Sequence, residues 1–376
     1  MCRPLLLARS PGPCHPIISF IQVEFGALTA NRFDLLRLVF AAGVTVFHAV
    51  ALTAIAPDAL LETSLGALAE ISIQGFFIVS GALVFGSLMR SDSLGDYAEK
   101  RVRRLYPAYA VIILVPALVS LIVAGPGAFS GILRYLAANL VFLNFLAPDL
   151  PGLFDGQRFE AVNGALWTLK VEVMFYLALP FIGWLMRRAG KVRWVVLVCL
   201  YVAGEAWRLL LEPSLAAAGA SPILLALAPE LARQLPGQMA FFASGMGLWL
   251  VWEQAKQKRG CLGLMGLALF GLSVLHPVME PLRPAGLAGL IAWAAFAPGP
   301  VLNAARYGDI SYGLYITHFP ILQGLIMAGV FATAGLAMGF VLAALLTLVA
   351  SFLLWWFVEK PALRRDSHYR QAAKEG

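Results

Sequence analysis

The first apolar segment contains an arginine and a histidine whose side chains would point in the same direction on a helix. Arg37 and His48 lie in NRFDLLRLVFAAGVTVFHAV, and on an α-helix eleven steps of ~100° return to within ~20° of the starting direction. They are separated by ~16 Å in depth, about half of a ~30 Å hydrocarbon core. Ionisable groups at that depth are costly to bury, which indicates a functional pair. The alternative is that Arg37 reaches the headgroups and His48 only packs.

Further ionisable groups are expected at a similar depth. Glu172 would lie ~12 Å from the outer surface within VNGALWTLKVEVMFYLALP, and His318 would lie ~15 Å from the inner surface within GDISYGLYITHFPI. Together with His48 they predict a buried layer of titratable groups, as in reaction or transport sites. A structural pair between Glu172 and Lys170 or an arginine is the alternative. Asp309, near the end of a predicted span, carries less information.

Small residues and a basic cluster complete the candidate site. The segment IQGFFIVSGALVFG contains Ser80 and Gly81, which would let a neighbouring helix or a ligand chain approach closely. The segment DYAEKRVRRLYPAY places Arg101 and Arg104 three residues apart on one helical face, and guanidinium groups suit phosphate binding. Helix packing and ordinary cytoplasmic anchoring of a span are the alternatives for these two segments.

Composition indicates a membrane protein. The 376 residues are 60% hydrophobic and 13% charged, with a mean hydropathy of +0.79, whereas a soluble domain is nearer half apolar and a quarter charged. The net charge of +7 does not indicate a nucleic-acid partner, because the basic residues cluster between apolar segments, as the positive-inside rule explains. The four cysteines show neither a CxxC motif nor metal-ligand spacing, so no metal site is expected.

The apolar stretches predict an all-α, polytopic protein with about ten transmembrane helices. The predicted spans are 34–54, 69–89, 105–125, 164–186, 192–211, 232–252, 260–277, 285–299, 308–330 and 335–358. Most of the 28 lysines and arginines fall in connections that lie inside if both termini are cytoplasmic, which favours that orientation.

Regions outside these spans are predicted as follows. Residues 1–30 are expected to be a disordered cytoplasmic leader, residues 31–363 the transmembrane domain, and residues 364–376 a cytoplasmic tail. The longest outer connection is 126–163, and its apolar part, GILRYLAANLVFLNFLAP, could form an eleventh span. Its asparagines, and the even number of spans that the orientation requires, favour a re-entrant or surface helix instead.

The order of these clusters resembles the acyltransferase 3 family of integral-membrane acyltransferases, and most nearly its members that acylate bacterial polysaccharides. The resemblance covers about residues 31–363. The positions that carry it are Arg37 and His48; Ser80 and Gly81 in FFIVSG; Arg101 and Arg104 in RVRRLYP; Trp167, Thr168 and Glu172 in WTLKVE; Ser311, Tyr312, Tyr315 and His318 in SYGLYITH; and Glu359 and Pro361. Two positions depart from the family pattern: Thr168 replaces the commoner serine, and Lys170 is an unusual charge beside Glu172.

The resemblance implies that an acyl group, most often acetyl, passes from cytoplasmic acyl-CoA to a hydroxyl of a cell-surface or exported polysaccharide. Acyl-CoA is then a donor substrate, and no permanently bound cofactor is expected. The implied partners are acyl-CoA, a glycan acceptor, the lipid bilayer and proteins of polysaccharide biosynthesis or export. The implied location is the bacterial inner membrane.

The resemblance and the residue chemistry together assign roles. Two residues are expected to be catalytic: His48, as general base or acyl carrier, and Glu172, which would orient His48 or bind the acceptor. Five are expected to bind acyl-CoA: Arg37, Arg101, Arg104, Ser80 and Gly81. Four are expected to line the cavity or contact the acceptor: Trp167, Thr168, Tyr312 and His318.

Other functions are compatible with the same groups. A transporter or flippase for a glycan precursor also uses intramembrane histidine and glutamate, although the lack of an inverted repeat and the basic cluster count against it. A scaffold without enzymatic activity would leave the buried titratable layer unexplained. Within acyl transfer, succinyl or longer donors remain open, as do lipid A, peptidoglycan and small-molecule acceptors. Release of free thiol from acetyl-CoA would distinguish an enzyme from a transporter or scaffold.

Overall fold

The computed structural model describes residues 32–55, 60–298 and 308–365, together with Ser367 and Arg370. Throughout these residues the regular secondary structure is helical and no β-strand forms, which confirms the all-α prediction. The predicted leader, residues 1–30, lies outside the described residues, and so does most of the predicted tail.

Each predicted span overlaps a helix. In chain order the helices are α1 Phe33–Thr53, α2 Leu60–Met89, α3 Leu94–Ala124, α4 Phe129–Asn139, α5 Trp167–Ala189, α6 Arg193–Ala217, α7 Pro222–Ala232, α8 Leu235–Leu250, α9 Trp252–Gln257, α10 Arg259–Leu275, α11 Arg283–Phe296, α12 Ser311–Met327, α13 Val330–Thr333, α14 Leu336–Leu354 and α15 Lys360–Ala362. A π-helical turn, Trp355–Glu359, joins the last two.

Five helical segments of the described residues are long and apolar enough to cross a membrane. They are Phe33–Thr53, Leu60–Met89, Leu94–Ala124, Gly164–Ala217 and Leu336–Ala362. The fourth contains both α5 and α6, which meet at the turn Gly190–Val192. By contrast, α8, α10, α11 and α12 have 16, 17, 14 and 17 residues, fewer than the ~20 of a typical crossing. The protein is a membrane protein, and the ten-span count and the sides of the termini stay predictions.

The connection 126–163 does not contain an eleventh span. Its helix α4 has 11 residues, which is too short to cross a bilayer. The asparagines close the turn that follows: the Asn139 side-chain amide donates to the Ala147 carbonyl at 2.8 Å, and that of Asn144 donates to Asn139 Oδ1 at 2.7 Å. A second short helix, α7, also has 11 residues and was not predicted, because its apolar run is below spanning length.

Local signals set the ends of α3, the helix that carries the basic cluster. The Ser93 hydroxyl accepts a hydrogen bond from the Asp96 backbone N–H at 3.1 Å, which is the standard cap for a helix N-terminus. The helix ends at Gly125, whose φ of 71° is readily adopted only by glycine. Arg101 and Arg104 therefore lie two to three turns inside a well-capped helix, and their side chains share a face.

Helix α2 lies at the centre of the bundle because two glycines let it touch α8 at the backbone. A Cβ atom at Gly81 would lie 2.3 Å from the Phe242 carbonyl oxygen, and one at Gly245 would lie 2.0 Å from that of Ile78. Any larger residue would force the two helices apart. The sequence placed Gly81 in the acyl-CoA groove, and the structure corrects this: Gly81 faces α8 and serves helix packing.

Replacing Gly81 with alanine is expected to destabilise the protein by about 1–3 kcal/mol, because the added methyl group overpacks the contact with α8. Thermal unfolding of the purified protein in detergent measures the effect. The matched control is Gly271→Ala on α10, where a Cβ atom would meet nothing within 4 Å. A Gly81→Ala variant as stable as the control would contradict the proposed packing role.

Candidate active site

A cavity of about 360 Å³ lies between α1, α2, α3, α5 and α12, within the ~300–1,000 Å³ range of small-molecule sites. Most of the α2 residues that line it recur every three or four positions and share one helical face: Ile73, Phe76, Phe77, Ser80, Leu83, Val84 and Ser87, with Val79 at the edge of that face. Ser87 and Ile73 are 14 residues apart, which corresponds to ~21 Å along the helix. The cavity is therefore long enough to reach from one membrane surface towards the bilayer centre.

The end of the cavity near Ser87 is cationic. Its basic lining residues are Arg90, Lys100, Arg101, Arg103 and Arg364. Most of them pair with carboxylates of α3: Lys100 and Arg364 with Asp96, and Arg103 with Glu99.

Arg101 differs from these neighbours. It donates to the Ser87 hydroxyl at 3.1 Å and its guanidinium lies 5.9 Å from the centre of the Tyr176 ring. Among the described residues no carboxylate pairs with Arg101, and its Nε has no hydrogen-bond partner. A partly buried guanidinium with an unused donor, facing a cavity, is suited to an anionic ligand.

A buried ion network forms part of the cavity wall, which includes its two arginines, Arg37 and Arg104. Arg37 Nη1 donates to Asp309 Oδ2 at 2.8 Å, and Arg104 donates to the same oxygen and, at 2.6 Å, to Glu359 Oε2. The two carboxylate side chains are 2% and 1% exposed. The charges of Arg37 and Arg104 and the Ser311 hydroxyl stabilise the carboxylate form of Asp309 in this buried position. Asp309 is thus ionised and joins two arginines.

Asp309 is the main functional residue that sequence reasoning undervalued. It accepts hydrogen bonds from the backbone N–H and, at 2.6 Å, from the hydroxyl of Ser311, so it also caps the first turn of α12. The signal was present in GDISY, where an aspartate precedes a helix by two residues. Its contact with two arginines distant in sequence could not be read from that pattern.

Glu172 lies in the wall of the cavity. Its Oε1 accepts hydrogen bonds from the Ser80 hydroxyl at 3.0 Å and from the Tyr176 hydroxyl at 2.5 Å. Among the described residues its partners are these hydroxyls, and it does not contact His48. Lys170 points elsewhere, with Nζ 4.6 Å from the centre of the Phe145 ring. The alternative of a Lys170–Glu172 pair is therefore wrong.

Tyr176 is a second residue that sequence reasoning missed. Tyr176 follows Glu172 by four residues on one helix, so the two side chains are neighbours on one face, and this spacing was the signal in the sequence.

The two histidines form a direct pair. His48 Nδ1 lies 2.8 Å from His318 Nε2, and His318 Nδ1 lies 3.1 Å from the Leu314 carbonyl oxygen. Because a carbonyl only accepts, His318 Nδ1 carries the hydrogen and its Nε2 is the acceptor in a neutral pair. The hydrogen between the rings then belongs to His48 Nδ1, which leaves the lone pair of His48 Nε2 available for proton transfer or nucleophilic attack.

The pair also tests the orientation predicted for α1. Arg37 contacts Asp309, just before α12, and His48 contacts His318 on α12. The prediction that Arg37 and His48 share one face is confirmed, and so is the similar depth of His48 and His318.

Two of the four predicted cavity residues line the cavity and two do not. Thr168 and Tyr312 line the same cavity as Arg101, whereas among the described lining residues neither Trp167 nor His318 appears. The Trp167 ring lies under Arg233, whose guanidinium is 4.4 Å from the ring centre. The Tyr312 hydroxyl donates to the Leu105 carbonyl at 3.0 Å, which fixes α12 against α3.

Comparison with known proteins gives consistent matches. A family model described as an acyltransferase domain matches residues 31–356. Nodulation protein 10 of Rhizobium leguminosarum bv. viciae is 29% identical over 356 residues, which are 89% of this chain and 93% of the relative. The O-acetyl transferase of Shigella phage Sf6 is 28% identical over 362 residues, 90% of this chain and 97% of the relative. No solved structure matches the chain.

Replacing Arg104 with methionine is expected to destabilise the protein by about 3–5 kcal/mol, because the buried carboxyl groups of Asp309 and Glu359 would both lose a charged hydrogen-bond partner. The folded fraction and thermal unfolding in detergent measure the loss. The control is Arg103→Met, which breaks a pair whose side chains are 47% and 45% exposed and should cost at most about 1 kcal/mol. Equal stability of the two variants would show that the network is not a structural element.

Proposed function

The chain belongs to the acyltransferase 3 family, and from that premise we propose that it transfers an acetyl group from cytoplasmic acyl-CoA to a hydroxyl of a cell-surface or exported polysaccharide. The observation that carries the proposal is a cavity with a cationic mouth and a histidine pair beyond its far end. The printed name of the phage Sf6 relative, O-acetyl transferase, supports acetyl transfer to oxygen. The proposal includes a bacterial inner-membrane location and cooperation with proteins of polysaccharide biosynthesis or export.

In this proposal the arginines divide into two groups. Arg101 binds the phosphates of coenzyme A, because it faces the cavity and its guanidinium has donors to spare. Arg37 and Arg104 face Asp309 and Glu359 at hydrogen-bond distance, so their charge is largely compensated and they maintain the shape of the site. This revises the sequence-based expectation that all three arginines bind phosphate.

The middle of the cavity suits the pantetheine arm. Ser80, Glu172 and Tyr176 are the polar side chains there, between the cationic mouth and the aromatic far end. Glu172 Oε1 already accepts two hydrogen bonds, and none of the described residues donates to Oε2. We therefore assign Glu172 to the amide N–H groups of the arm, while His318 takes the task of orienting His48.

The proposed chemistry depends on His48 Nε2. As a general base, this nitrogen accepts the proton of the acceptor hydroxyl while the hydroxyl oxygen attacks the thioester carbonyl. The tetrahedral intermediate then expels the thiolate of coenzyme A, which takes up that proton. Alternatively, Nε2 attacks the thioester first and releases the thiolate; the acceptor hydroxyl oxygen then attacks the acyl-imidazole, its proton passes to the thiolate, and Nε2 leaves with its lone pair restored. Both routes need the tautomer that the contact with His318 imposes.

Replacing Arg101 with alanine is expected to raise the KM for acetyl-CoA more than tenfold, a loss of about 1.4 kcal/mol or more, with a smaller effect on kcat. Steady-state thiol release from acetyl-CoA gives both constants. Arg188→Ala is the control, since Arg188 lies over the Trp184 ring, outside the cavity. An unchanged KM would contradict phosphate binding by Arg101.

Replacing His48 with alanine is expected to lower turnover by about 10²–10⁴-fold, the usual contribution of general-base catalysis. Binding of acetyl-CoA should persist, because Arg101 and Glu172 are untouched. The assay measures thiol release from acetyl-CoA by purified protein with and without cell-envelope glycan, and mass spectrometry detects the acetylated product. His276→Ala, at an exposed position, is the control. Retention of more than about a tenth of wild-type turnover would refute the mechanism.

A further inference from the structure

The cavity ends one aromatic layer short of the histidine pair. Its described lining residues at that end include Phe76, Thr168 and Tyr315 but neither His48 nor His318. The Tyr315 ring lies between the two sites, with its centre 5.5 Å from that of Phe76 and 6.1 Å from that of His318. An acyl group that enters through the cavity therefore meets these two rings before it meets an imidazole.

Tyr315 is held firmly in this position. Its hydroxyl lies 2.6 Å from Thr168 Oγ1 and 3.3 Å from the Ala165 carbonyl oxygen, and Thr168 itself donates to that carbonyl at 3.1 Å. The residue is 5% exposed. Rotation of the ring would break hydrogen bonds in a buried site, which is costly.

Phe76 is the less confined of the two rings. It is only partly buried, and its ring contacts are edge-on arrangements with Phe40 at 5.7 Å and Tyr315 at 5.5 Å between centres. Each such contact contributes about 0.5–1.5 kcal/mol beyond area burial. A bound acyl chain can replace these apolar contacts, so Phe76 can move aside while Tyr315 stays in place.

We propose that Phe76 and Tyr315 form an aromatic barrier that determines which acyl chains reach His48 and limits hydrolysis of the thioester. The inference rests on the proposed function, because it takes acyl-CoA as the donor and His48 as the reacting group. In hydrolysis a water oxygen forms the new bond to the acyl carbon, the carbon–sulfur bond breaks, and a water proton passes to the thiolate. Hydrolysis and transfer thus release the same thiol but differ in product, free acid or acylated acceptor.

The first test uses Phe76→Ala in the full-length protein. Without acceptor, formation of acetate from acetyl-CoA should rise at least fivefold over wild type. The ratio of kcat/KM for butyryl-CoA to that for acetyl-CoA should rise about tenfold or more, the size of effect that one methylene produces in an apolar pocket. The control is Phe85→Ala, which removes a buried ring from the same helix beside Trp249. It should change neither the rate of acetate formation nor the ratio of kcat/KM for the two donors.

The second test breaks the hydrogen bond between Tyr315 and Thr168 and leaves both aromatic rings in place. Tyr315→Phe and Thr168→Val each remove one side of the 2.6 Å contact and should each raise the acetate-to-product ratio, less than Phe76→Ala does. Because they break the same hydrogen bond, the double variant should resemble either single variant, whereas independent effects would multiply. If Phe76→Ala fails to fold, Phe76→Leu and Tyr315→Phe provide the same readouts.

The outcomes separate the barrier from the proposed function. A wild-type protein that neither releases thiol from acetyl-CoA nor acetylates glycan would overturn the proposed function and the barrier together. A wild-type protein that transfers acetyl, with wild-type acetate fraction and donor ratio in the Phe76 and Tyr315 variants, would overturn the barrier and leave the function intact. An increase in both ratios, absent from Phe85→Ala, supports the barrier.

Discussion

The buried ion network of Arg37, Asp309, Arg104 and Glu359 is the constraint on which the rest of the site depends. It joins α1, α3, the segment just before α12 and the π-helical turn after α14 through four ionisable groups that are costly to bury unless they stay together. Arg37 and His48 are eleven residues apart on α1, and Asp309 and His318 are nine residues apart along α12. Since both helices rise ~1.5 Å per residue, fixing Arg37 to Asp309 brings the two histidines within ~3 Å of the same depth. The network therefore sets the helical register that the histidine pair requires.

The polarity of the cavity lining decreases from the mouth to the far end, and this order has a physical reason. Charges lie at the mouth, hydroxyls around Glu172 occupy the middle, and apolar rings close the far end. Polarity falls with depth because each unpaired polar group is more costly to bury farther from water. In the proposed function this gradient orients an anionic donor with an apolar acyl end, and only that acyl end is compatible with the ring of Phe76.

Sequence reasoning predicted the features that depend on one helix at a time. Helical periodicity placed Arg37 and His48 on one face, and apolar length located the helices. It did not predict contacts that depend on how two helices pack. Gly81 faces α8 rather than the cavity. Glu172 contacts Ser80 and Tyr176 rather than His48. Periodicity gives the direction of a side chain relative to its own helix, but the neighbour in that direction depends on the packing of the whole bundle. Asp309 was undervalued for this reason, since its two arginines come from α1 and α3.

The contact between the two imidazoles also limits what the pair can do. At 2.8 Å between nitrogens, the neutral rings share one hydrogen, and one further proton can be taken up at His48 Nε2. A second would create two cations in contact, and Coulomb repulsion between unit charges ~4 Å apart is about 4 kcal/mol even at an effective dielectric constant of 20. The pair therefore accepts one proton at a time, which is what the removal of a single hydroxyl proton requires.

A proton channel, by contrast, would need a chain of groups continuing to both membrane surfaces. On the side that faces the cavity, Tyr315 and Phe76 intervene between the pair and the cavity, and their rings, neither of which is an acid or base near neutral pH, interrupt such a chain. The same aromatic layer that protects a thioester thus favours transfer chemistry over proton conduction for these histidines.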